Sequence, residues 1–115
     1  MRKTDKKIDN TIRQALTDAC EVALDRVEGF KWLTHLVNYN NYPESLAVIC
    51  VFDTNSDLAR ARLAQEDELL RVLIKENLVS AGIVLSDVRK QVSFDTEEAC
   101  AKEHAGKWAE RFERA

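Results

Sequence analysis

The stretch Leu46-Ala47-Val48-Ile49-Cys50-Val51-Phe52 is apolar at every position, and three of its side chains are β-branched. So short a run, without polar alternation, reads as a strand buried on both faces, the middle of a sheet rather than its rim. It is the longest apolar run present, far below the roughly 20 residues that a membrane-spanning helix needs.

Working outward, Asn38-Tyr39-Asn40-Asn41-Tyr42-Pro43-Glu44-Ser45 is a turn-rich break. Before it, Phe30 to Val37 carries aromatic and branched residues in strand proportions. Strict alternation puts Phe30, Trp32, Thr34 and Leu36 on one side, and Lys31, Leu33, His35 and Val37 on the other. The two strands suggest an antiparallel hairpin. Further upstream, Ile8, Ile12, Leu16, Ala19, Ala23 and Val27 recur at helical spacing over residues 7 to 27. Thr4 or Asp5 is placed to cap that helix and Gly29 to stop it.

Downstream, Asp53-Thr54-Asn55-Ser56 is a cluster of capping residues. Asp57 to Ala81 is helical in composition, as one helix or as two with a break near Gln65-Glu66-Asp67-Glu68, and Gly82 ends it. Ile83 to Gln91 is ambiguous. Val92-Ser93-Phe94 is a short strand, and Asp95 with Glu98 has the spacing of a capping box that opens a last helix running to about Arg114. The expected fold class is therefore α/β, with α+β as the alternative. It is one domain over 1–115 in the order helix-strand-strand-helix-strand-helix, a small three-stranded sheet packed by helices. Residues 1–6 are expected to form a flexible basic arm.

Composition narrows the function classes. With 115 residues, 45% hydrophobic, 32% charged, three Gly and one Pro, the chain is neither disordered nor fibrous. Seventeen Lys+Arg against 20 Asp+Glu give a net charge of −3, which argues against a broad phosphate-binding surface. Cys20, Cys50 and Cys100 are odd in number and never in a C-x-x-C pair, which fits reduced thiols. No apolar segment follows the basic N-terminus as a secretory signal would. The expectation is a cytoplasmic protein with no membrane partner. No phosphate-cradling glycine loop, nucleophile elbow or H-E-x-x-H occurs, so no cofactor is expected.

Two features suggest chemistry. Phe52-Asp53-Thr54 and Phe94-Asp95-Thr96 are echoes, each closing a strand and opening a helix. If those strands are parallel neighbours, Asp53 and Asp95 share the carboxyl edge of the sheet, where ligands bind in open α/β folds. There they could hold Mg²⁺ or Mn²⁺, or simply cap two helices. Cys100 and His104 lie four apart on the last helix, the spacing of a metal-ligand or nucleophile–base pair, but also of a buried cysteine beside a half-exposed histidine. A nucleic-acid surface has its own candidates: Arg2, Lys3, Lys6 and Lys7 as an arm, Arg89 and Lys90, and Tyr39 and Tyr42 as stacking side chains.

The stretches Phe30-Lys31-Trp32-Leu33-Thr34-His35-Leu36-Val37-Asn38-Tyr39 and Val92-Ser93-Phe94-Asp95-Thr96-Glu97-Glu98-Ala99-Cys100 resemble a group of short bacterial proteins labelled Fis family transcriptional regulators. The resemblance covers most of the chain. It implies a DNA-binding regulator with a C-terminal helix-turn-helix and carries over no individual residue. A helix-turn-helix requires two short helices and a tight turn. Here Thr96 to Arg114 reads as one helix of mixed charge, with Gly106 as the only candidate turn. Three functions follow: a non-catalytic binding or regulatory protein, with a protein partner or self-association; a nucleic-acid-binding regulator; and a metal-dependent enzyme built on Asp53 and Asp95. The absence of a catalytic signature favours the first.

Overall fold

The apolar run is a strand, and it is interior. The computed structural model describes residues 2–113. Its elements are α1 (Lys3–Arg26), β1 (Phe30–Leu36), a 3-10 turn (Tyr39–Asn41), β2 (Ala47–Phe52), α2 (Asn55–Leu63), α3 (Glu66–Ser80), α4 (Val88–Gln91), β3 (Val92–Thr96), α5 (Glu97–His104) and α6 (Trp108–Glu113). The sheet order is β1-β2-β3, with β1 antiparallel and β3 parallel to β2. This is the expected α/β domain, and Val48, Cys50, Val51 and Phe52 at its centre are fully buried.

Register sorts the sheet into two faces. Leu33, Val48, Cys50, Phe52, Val92 and Phe94 join the main core, against Ile12, Leu16, Ala19 and Ala23 of α1, Ala61 of α2, and Leu70, Ile74 and Leu78 of α3. On the other face lie Trp32, Thr34, Leu36, Ala47, Ile49, Val51, Ser93 and Asp95, partly covered by α5 and α6. Strict alternation fails at one place. Phe30 pairs with Phe52 and Trp32 with Val51, so Lys31 is an extra residue in β1. This bulge turns Phe30 onto the core face, where its ring meets Phe52 edge-on at 5.9 Å.

Several boundaries differ from the sequence expectation. Helix α1 begins at Lys3, so Lys3, Lys6 and Lys7 belong to its opening turns rather than to a flexible arm, and Met1 lies outside the described residues. Thr4 and Asp5 therefore sit inside the helix and do not cap it; Asp5 is buried and takes Arg2 as its partner instead. The break between α2 and α3 falls at Gln65, whose φ of 60° cannot continue a helix. The last helix is two helices: Ala105 (φ 53°) and Gly106 (φ 79°) turn the chain between α5 and α6, and Arg114 lies outside the described residues. Gly106 was the residue able to do this, because its N–H closes back on the Cys100 carbonyl in a left-handed conformation that costs glycine little.

Candidate functional site

The carboxyl end of β2 and β3 is the place to which the sequence pointed. There Val51 pairs with Asp95 and Phe52 with Thr96, so the two Phe-Asp-Thr echoes are offset by two residues rather than level. The threonines do the capping, not the aspartates: Thr54 Oγ1 accepts from the Asp57 N–H at 3.0 Å, and Thr96 Oγ1 from the Ala99 N–H at 2.9 Å. Thr96 also donates to Asn55 Oδ1, and Glu98, expected to complete a capping box with Asp95, accepts the Asn55 N–H at 2.9 Å. The two helix starts satisfy each other. Asp53 is exposed beyond the end of β2. Both Asp95 oxygens are taken by Arg111 of α6, at 2.6 Å and 2.9 Å. Asp95 thus anchors α6, two residues out of register with Asp53. Among the described residues, no group of three or more His, Cys, Asp or Glu is set to hold a metal.

The same pair explains the C-terminal hairpin. Trp108 packs edge-on against Trp32 at 4.9 Å, and both indole N–H groups donate to Glu97. Helix α6 therefore spends Trp108 and Arg111 on the sheet, the opposite of a recognition helix, which presents such side chains outward. Cys100 is fully buried and burial raises its pKa, while His104 Nδ1 lies 3.1 Å from Arg111.

The nucleic-acid candidates are dispersed or engaged. Arg2 pairs with Asp5, and Arg89 with Glu68 at 2.9 Å. Arg89 and Lys90 sit on α4, whose N-cap is Asp87. Tyr42 is half-buried and packs on the core; Tyr39 is half-buried with its hydroxyl donating to Asp9 at 2.9 Å. Neither tyrosine is a free stacking platform.

A groove of about 670 Å³ lies elsewhere, between α1 and β1. Its helical wall is the stripe Asp9-Arg13-Thr17-Glu21, with Leu16 and Cys20 deeper; its strand wall is Leu33 to Val37. Residues of both sheet faces line it, Leu33 and His35 from one and Thr34 and Leu36 from the other, so the groove follows the outer edge of β1. Among the described residues that edge has no strand partner, because β1 pairs with β2 alone. Four groups fix one end of the groove. Asp9 Oδ1 accepts from His35 Nε2 and from the Tyr39 hydroxyl, each at 2.9 Å, and Oδ2 accepts from Arg13 Nε at 2.7 Å. Burial acts to raise the Asp9 pKa, but the bonds from His35, Tyr39 and Arg13 outweigh it and hold the carboxyl below its usual range. Tyr39 responds in the opposite sense, pushed up to about 12 by burial and by the Asp9 charge.

Cys20 faces this groove as a thiol. Burial raises its pKa, with the Glu21 charge adding to the effect and a backbone hydrogen bond from Leu33 opposing it. Burial likewise raises Cys50. The three cysteines are therefore poor nucleophiles at neutral pH. Asp9, Arg13 and Glu21 fall outside the apolar stripe of α1, and His35 belongs to no motif. The one local signal was the i,i+4 pair Asp9–Arg13; the partners His35 and Tyr39 lie 26 and 30 residues further on and are united only by the fold. No family model, no curated protein and no solved structure matches this chain.

Proposed function

We propose that this chain is a non-catalytic protein-binding module whose working surface is the groove between α1 and β1. A partner segment in extended conformation adds there as a fourth strand. The observation that carries this reading is the coincidence of this groove with an edge of β1 that no strand among the described residues pairs. Main-chain hydrogen bonds to such an edge supply affinity, and flanking side-chain pockets supply specificity. Leu16, Cys20 and Leu33 offer the apolar floor; Arg13 and Glu21 offer a polar rim. The Asp9–His35–Tyr39 cluster holds the turn after β1 against α1, so the groove keeps its shape before a partner arrives. Raised thiol pKa values at all three cysteines support a binding role over nucleophilic catalysis. Of the alternatives, nucleic-acid binding is weakened by the ion pairs that occupy Arg2 and Arg89, and metal catalysis by the Arg111 clamp on Asp95.

The test is selection of binders from a displayed library of random heptapeptides, followed by NMR mapping on the labelled chain. The expected peptides perturb the amides of Leu33, His35 and Thr17. Binders that perturb only the carboxyl end of the sheet, around Asn55 and Ala99, would contradict the reading.

A further inference from the structure

We propose that α6 is a releasable strap. It lifts as a unit about Ala105 and Gly106 and uncovers one row of the sheet on the face away from the main core, while the rest of the domain stays folded. The proposal stands apart from the groove beside β1.

Register defines the row. Trp32 of β1, Val51 of β2 and Asp95 of β3 lie side by side across the sheet. Helix α6 bridges it from end to end. Trp108 meets Trp32 edge-on at 4.9 Å, and Arg111, three residues on, holds both Asp95 oxygens at 2.6 Å and 2.9 Å. Side chains three apart on a helix share a face, so one face of α6 supplies both grips. Val51, in the middle of the row, is fully buried.

Three features make the grip releasable. The first is its thinness. Helix α6 has six residues, none of them buried, and so short a helix does not persist in water unless something holds it. Arg111 and Phe112 line a cleft of about 290 Å³ with Ile49, Ser93 and Phe94 of the sheet, so α6 is not closely packed onto the strands. Apart from the ring contacts of Trp108, the ties are polar: Arg111 to Asp95, Glu103 and His104, and the Trp108 indole N–H to Glu97 at 2.8 Å.

The second is the hinge. Ala105 holds φ 53° and Gly106 φ 79°. For Ala105, which carries a Cβ, the left-handed conformation is strained, and lifting α6 relieves that strain. The third is the core. Among the described residues, the main hydrophobic cluster takes no side chain from α5 or α6, so it is complete without the strap. Elements with few buried contacts open locally at a lower free energy than the whole domain. Release bares the Trp32 ring and frees the Asp95 carboxylate, groups that suit a partner's arginine as they now suit Arg111.

The experiment is amide hydrogen exchange of the full chain over a series of urea concentrations below the unfolding midpoint, repeated on Asp95→Asn. In the native chain, the Arg111 and Phe112 amides are expected to exchange at least about a hundredfold faster than those of Val48 and Cys50, at rates that urea barely changes. Asp95→Asn leaves the sequence of α6 intact and is expected to speed both α6 amides about tenfold, with Val48 and Cys50 still the slowest. Fraying of the last helical turn would be indifferent to a change on β3. Native rates at Arg111 and Phe112 that match those of Val48 and Cys50, and rise with urea as theirs do, would mean that α6 leaves only when the whole domain unfolds, and would overturn the proposal. So would α6 rates that Asp95→Asn leaves unmoved.

Discussion

The carboxyl end of β2 and β3 and the outer edge of β1 are two places where this small sheet runs out of strand partners, and they are finished in opposite ways. At the first, Thr54, Thr96, Asn55 and Glu98 satisfy the starts of α2 and α5 from within the chain, and Arg111 occupies Asp95. At the second, a groove runs beside the strand, and no strand among the described residues pairs with the edge. Polar residues at a strand end thus do not mark a ligand site when their hydrogen-bonding capacity is already used. The groups that a strand edge leaves unused are on the backbone and independent of residue type.

The sharpest way to break the closed end is Gly29→Val. Gly29 holds φ +85°, its carbonyl accepts the Asp53 N–H, and an added Cβ would stand 2.6 Å from Asp57 in the first turn of α2. Strain and overlap together should cost about 3 kcal/mol or more, read as a lowered denaturant midpoint. Next, Thr96→Val removes a buried hydroxyl that both caps α5 and bonds Asn55, with an expected loss of about 2 kcal/mol in urea unfolding.

At the open edge the expected effects are smaller on stability and specific in pH. The Asp9 carboxyl lies below its ordinary 3.8 in the folded chain, so between the two values the unfolded chain binds more protons. Its stabilising contribution is complete above about pH 4 and is lost as pH falls through the folded value. Asp9→Asn should cost about 1–2 kcal/mol at neutral pH and flatten that acid limb. Tyr39 supplies the mirror image. Its pKa is raised from 10.0 to about 12, so its contribution is whole below pH 10 and declines between those values. Tyr39→Phe, costing about 1 kcal/mol, should abolish the decline. Smallest of all, Lys6→Gln with Lys7→Gln should change stability by less than about 0.5 kcal/mol, because both lysines are exposed on α1. A nucleic-acid surface would instead show its loss in low-salt binding.

The fold was legible where one residue's polarity determines its place. The unbroken apolar run could only be interior, and the period from Ile12 to Ala23 could only be one helix face. What escaped was decided between distant residues. Asp95 and Thr96 are both good caps, and only the arrival of Arg111, 16 residues later, draws the aspartate away. The Lys31 bulge leaves no mark in the sequence, since Lys31 suits either pattern. The groove itself has no motif: Asp9, Arg13 and Glu21 look like any solvated helix face until β1 is laid beside them.

The central claim is that the β1 edge awaits another strand. It is tested most directly by amide hydrogen exchange at Leu33 and His35 with and without a selected heptapeptide. The expected result is slower exchange at both positions when the peptide is bound. Unchanged rates at both in the peptide complex would contradict it.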